Sequence, residues 1–167
     1  MVTFEDIQAG KAKAAQPKLD RLAADGAPGY RAAALMTKAD TALQEGKDAA
    51  AIAAFQQVAD DAELPDTYRQ LALIRRTAIE FDKIDPNVVI QRLKPLAIAG
   101  EPWFGSAGEM VALAYLKQQK PQEAARIFAA MAKDETLPGS IRSRSVQMAG
   151  ALGVDAVQQG ATKEVTE

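Results

Sequence analysis

Apolar side chains recur at spacings of three and four along most of this chain. In "LPDTYRQLALIRR", Leu64 to Arg76, a proline is followed by such a stripe, the signature of one face of a helix. Four prolines punctuate the chain in the same way: Pro28, Pro65, Pro102 and Pro138, at separations of 37, 37 and 36 residues. They open "GAPGYRAAALM", "ELPDTYRQLAL", "GEPWFGSAGEM" and "TLPGSIRSRSV". Proline suits a first helical position, because the N–H that it lacks would have no partner there.

A second helix keeps the same beat. "PKLDRLAAD", "AAFQQVADD", "QRLKPLAIA" and "RIFAAMAKD" align on Leu19, Phe55, Leu93 and Phe128. Three residues on come Leu22, Val58, Leu96 and Met131, on the same helix face. Gly10 and Gly46 fall where a left-handed cap would end the preceding helix. The pattern predicts helices over 11–24, 28–45, 47–61, 65–81, 86–98, 102–118, 120–133 and 138–151, with a short one near 3–9. Neither helix of such a unit can bury its stripe alone, so stacked neighbours must share a core. The expected fold is all-α: an α-solenoid of about four helix-turn-helix units. Residues 1–157 form a single domain in this reading, and 158–167, with few apolar anchors, a disordered tail.

Composition agrees with helices. Apolar residues are 48% of the chain, many of them alanine, and aromatics only 5%, which favours closely packed helices. The formal net charge of −2 argues against a general nucleic-acid binder, which needs an excess of Lys and Arg. With no cysteine and no histidine, thiolate sites and the commonest general base and metal ligand are excluded. Ser140, Ser143 and Ser145 have no histidine to activate them, and no glycine-rich phosphate loop is present. The acid pairs Asp60–Asp61 and Asp134–Glu135 fall at helix ends, on neighbouring positions that do not converge. No enzyme, metal or cofactor is expected.

The unit resembles a tetratricopeptide repeat. Ala51 and Phe55, like Ala124 and Phe128, keep that family's small-then-aromatic spacing, although the period is longer and the Trp, Leu-Gly and Tyr signature of its first helix is missing. As a series, "APGYR", "LPDTYRQLA", "RLKPLA", "GEPW" and "SAGEMVALA" are similar to the tetratricopeptide-like domain of the YfgM family, ancillary subunits of the SecYEG translocon, in its alphaproteobacterial form. That resemblance covers roughly residues 9–152. It implies a short cytoplasmic N-terminus, one membrane helix, and a periplasmic helical domain that assists exported proteins beside the chaperone PpiD. This stretch carries no such helix, so the native anchor is expected ahead of it. The alternatives are a self-associating scaffold, such as a homodimer, and a soluble cytosolic adaptor. Ile141, Val146, Met148, Leu152 and Val154 give the last helix the apolar content that self-association would use.

Binding residues are sought on the first helix of each unit, which lines the concave face of such repeats. Tyr30 with Arg31 and Tyr68 with Arg69 recur 38 positions apart, and Trp103 with Phe104, then Arg142, follow in later units. Aromatic faces and guanidinium groups suit peptide backbone or carboxylates. The competing reading is that the aromatics seal the core while the arginines cover its edge. Trp103, the only tryptophan, either anchors a partner or fills the space opposite Gly105 and Gly108. Charge is also uneven. Seven acids and Lys47 lie between Asp40 and Asp66, and six bases with three acids between Arg69 and Lys94. They form either a bipolar docking surface or solvated helix faces.

Overall fold

The computed structural model describes residues 12–156, all helices, turns and loops, with no strand among them. The expected helix at 3–9, the cap at Gly10 and the tail at 158–167 lie outside the described residues. Eight helices follow one another: α1 (Ala12–Asp25), α2 (Pro28–Gln44), α3 (Asp48–Asp60), α4 (Asp66–Glu80), α5 (Pro86–Leu93), α6 (Phe104–Lys117), α7 (Pro121–Lys133) and α8 (Gly139–Ala151). Each helix predicted within the described residues is present, the one expected over 86–98 ending at Leu93. No helix among the described residues is long and apolar enough to cross a membrane.

The chain divides after Asp82 into two compact units. In the first, α1 to α4 pack consecutively, and α2 also touches α4. Its core is Ala32, Leu35, Met36, Ala39, Ala51, Phe55, Val58, Leu64 and Ala72. In the second, α5 to α8 pack consecutively, and a core of Phe104, Ala112, Ala124, Phe128, Met131, Leu137 and Ala149 gathers along α6 to α8. Leu19, Phe55, Leu93 and Phe128 are all buried, as their shared register predicts. Val58 and Met131 are buried too, whereas Leu22 and Leu96 are only half-buried.

The prolines stand at three different positions relative to the helices they introduce. Pro28 occupies the first turn of α2, but Pro65 and Pro138 sit one position ahead of α4 and α8, with φ of −59° and −53°. Pro102 lies in the turn ahead of Trp103, the residue that precedes α6. The predicted helix 86–98 stops early because Pro95 has no N–H for the carbonyl four residues back. The chain tightens there into a 3₁₀ turn, Lys94–Leu96.

Gly46 ends α2 as expected, with φ +71°. Its N–H donates to Leu43 O at 3.0 Å and that of Lys47 to Ala42 O at 2.8 Å, the paired bonds of a Schellman cap. The second unit repeats this cap after α6 without a glycine. Gln119 takes φ 58°, its N–H bonding Leu116 O and that of Lys120 bonding Tyr115 O, both at 2.9 Å.

Candidate functional site

The turn that leads into α4 recurs 73 positions later at α8. "DAELP" and "DETLP" each begin with the aspartate that ends the preceding helix. Asp61 Oδ1 accepts from the Glu63 N–H at 3.0 Å, and Asp134 Oδ1 from the Thr136 N–H at 2.9 Å. Leu64 and Leu137 then turn inward, 3% and 7% exposed. The other carboxylate oxygen ties the turn to the earlier part of its own unit. Asp61 Oδ2 accepts from Arg31 at 2.8 Å, and Asp134 Oδ2 from the Gly100 N–H at 2.8 Å. The Thr136 hydroxyl, then these backbone bonds, hold the Asp134 carboxyl below the usual range.

This arrangement decides what the arginines do. Arg31 bonds Asp61 and also Glu63, at 3.0 Å, and both carboxylates raise its already high pKa. Arg69 reaches Asp66 at 2.9 Å and the Ala59 carbonyl at 3.3 Å. Arg142 stands half-buried at the start of α8, close enough for its charge to favour ionised Asp134. These guanidiniums therefore serve their own chain. Arg75, from the basic run, meets Asp40 of the acidic run at 2.7 Å, and its guanidinium lies 5.3 Å from the centre of the buried Phe55 ring. Parts of the two charge runs thus pair with one another within the first unit.

The tyrosines stay together. Tyr30 and Tyr68, from the first turns of α2 and α4, line an open cleft of about 470 Å³ with Ala27, Gly29 and Ala33. The small side chains leave the space and the two rings wall it. Tyr30 is 69% exposed, against the usual burial of so large a ring. Tyr68 leans on the core of the first unit. Neither hydroxyl has a hydrogen-bond partner among the described residues.

Trp103 and Phe104 belong to the second unit and separate sharply. Phe104 is 2% exposed, packed in the core, and offers no surface to a partner. A methyl group on Gly108 would stand 3.0 Å from the Phe104 ring and 3.3 Å from Met131 Sδ, and one on Gly105 would stand 3.3 Å from Leu137. The small residues of "GSAG" admit the chain's own side chains, and those of Phe104, Met131 and Leu137 fill the space that one of the two readings gave to Trp103. Trp103 is half-buried just ahead of α6, and its carbonyl accepts from the Ala107 N–H at 2.8 Å.

Sequence reasoning missed Ala27, Gly29 and Ala33 as walls of the cleft, and the carboxylates as partners of the arginines. The recurrence of "DAELP" as "DETLP" was the available signal for the second. The apolar residues of α8 and the turn after it are partly buried: Ile141 and Met148, then Leu152 and Val154, pack against the core of the second unit. Among the described residues, no three His, Cys, Asp or Glu side chains gather as a metal ion would require. Comparison with known proteins finds no matching family model, no matching curated protein and no matching solved structure.

Proposed function

We propose that this chain is a non-catalytic protein-binding module built from tetratricopeptide-like repeats, in which the Tyr30–Tyr68 cleft receives an apolar side chain of a partner protein. The observation that carries this reading is the exposed ring of Tyr30 beside Tyr68 over small residues. A large apolar ring held in water gains free energy when a partner covers it, and two rings walling one recess define where that partner's side chain sits. The "DAELP" and "DETLP" turns, 73 positions apart, support the repeat reading. The motif resemblance to the YfgM family supplies the setting: an anchored, periplasmic domain at the SecYEG translocon, beside a PpiD-like chaperone, engaging exported chains.

The test uses the natively encoded protein, tagged at its C-terminus in its own cell. Membranes are separated, solubilised in mild detergent, and the co-purifying proteins identified. Translocon subunits or the chaperone are expected from the membrane fraction, and Tyr30→Ala with Tyr68→Ala is expected to reduce their recovery. A soluble cytosolic protein without those partners would end the export reading. Unchanged recovery with the double variant would remove the cleft from it.

A further inference from the structure

Carboxylates outnumber bases along the chain segments that carry the tyrosine cleft. Asp25 lies two residues before Ala27, and Asp66 two residues before Tyr68. Asp60, Asp61 and Glu63 end α3 and lead into α4. Asp25 and Asp60 are exposed, and the side chains of Glu63 and Asp66 are 77% and 79% exposed. Against these five carboxylates stand two guanidiniums, Arg31 and Arg69, each already engaged with members of the group. The first turns of α2 and α4 add partial positive charge, about half an elementary charge for each helix end. The ends of α1 and α3, at Asp25 and Asp60, add as much negative charge, so the sum stays negative by roughly three charges. The arginines therefore do not make this an anion site, although their recurrence beside the tyrosines points that way in sequence.

We infer that the cleft selects a cationic partner segment: an apolar side chain that enters between Tyr30 and Tyr68, flanked by Lys or Arg that meet Glu63 and Asp66. The inference rests on the binding reading above and adds the charge of what is bound. Tyrosine faces also attract cations, so a flanking Lys or Arg gains from the rings as well as from the carboxylates. Glu63 and Asp66 have free carboxylate capacity. Arg31 bonds one oxygen of Glu63 and Arg69 one oxygen of Asp66, and an ionised carboxylate has about four acceptor sites.

Three fluorescein-labelled peptides with one shared Leu-Phe-Leu centre, flanked by Lys, Ser or Glu, test this by anisotropy with the full chain. The Lys-flanked peptide is expected to bind at least about tenfold more tightly than the Glu-flanked one, the Ser-flanked peptide falling between. The spread is expected to collapse in ~0.5 M salt, where exposed charges are screened within a few ångströms. Glu63→Gln with Asp66→Asn should shrink the spread between the Lys-flanked and Glu-flanked peptides. Tyr30→Ala with Tyr68→Ala should weaken all three together. Equal binding of the three peptides, or preference for the Glu-flanked one, would overturn the charge assignment and leave the cleft as a binding site. Binding of all three that the tyrosine variants do not alter would overturn both. So would binding by none.

Discussion

Arg31 Nη2 lies 2.8 Å from Asp61 Oδ2 across thirty positions of sequence. One side chain at the start of α2 thereby fixes the turn that launches α4, and with it the placement of Tyr68 relative to Tyr30. The pair is partly exposed, with 20% and 29% of the two side chains open to water. Its consequence is geometric more than energetic, because pairs in water gain little net free energy.

Replacing Arg31 with Ala is expected to lower the melting temperature and to speed amide exchange at Leu64, whose N–H donates to Asp61 O at 3.1 Å. Arg31→Lys should recover only part of this, since both carboxylates are reached from the single atom Nη2, which stands one bond farther from the backbone than a lysine ammonium. Identical melting and exchange in the alanine variant would mean that the turn holds without Arg31.

The two tyrosines should differ in what they contribute to stability. Tyr30→Ala removes a ring that is mostly in water and should change unfolding free energy by less than about 0.5 kcal/mol. Tyr68→Ala removes a ring that packs on the core and should cost about 1–2 kcal/mol. Urea titration of each variant separates them. A larger loss at Tyr30 would show that its ring is covered in solution.

Asp134 and Asp40 should leave opposite marks on the pH dependence of stability. The folded pKa of Asp134 lies below the ordinary 3.8, through the Thr136 hydroxyl and then backbone N–H groups. Its contribution is therefore present above pH 3.8 and lost as pH falls through the folded value. Asp40 is pushed above 3.8 by burial, partly offset by Arg75. Its contribution is fully present below pH 3.8 and lost as pH rises through the raised value. Melting temperatures from pH 2.5 to 7 should show the gap between wild type and Asp134→Asn closing towards acid, and the wild type losing a low-pH advantage that Asp40→Asn lacks. Parallel curves would contradict both assignments.

The caps at Gly46 and Gln119 invite a reciprocal exchange. Gln119 is exposed and adopts φ 58°, a conformation that costs a side-chain-bearing residue about 1 kcal/mol. Gln119→Gly should stabilise the second unit by about 0.5–1 kcal/mol. Gly46→Gln should cost the first unit a similar amount, purely from backbone conformation, because an added Cβ meets nothing within 4 Å. Denaturant midpoints of the two variants should move in opposite directions.

The sequence by itself determined the helices and most of their buried faces. Prolines, the capping Gly46, and apolar residues three and four apart act within a few turns of chain, so their consequences are local and can be read in order. That is why Phe55 and Phe128 could be assigned to equivalent cores without coordinates. The partners of Arg31 and Arg69 were not readable in that way. Whether Arg31 faces a ligand or Asp61 depends on where a turn thirty residues away arrives, and periodicity carries no information about that distance. Likewise "GSAG" states only that space is left, and packing decided that Phe104, Met131 and Leu137 take it. The tertiary structure thus turned the arginines inward to the chain's own carboxylates and left Tyr30 in water, because each side chain took the nearest partner that folding brought to it.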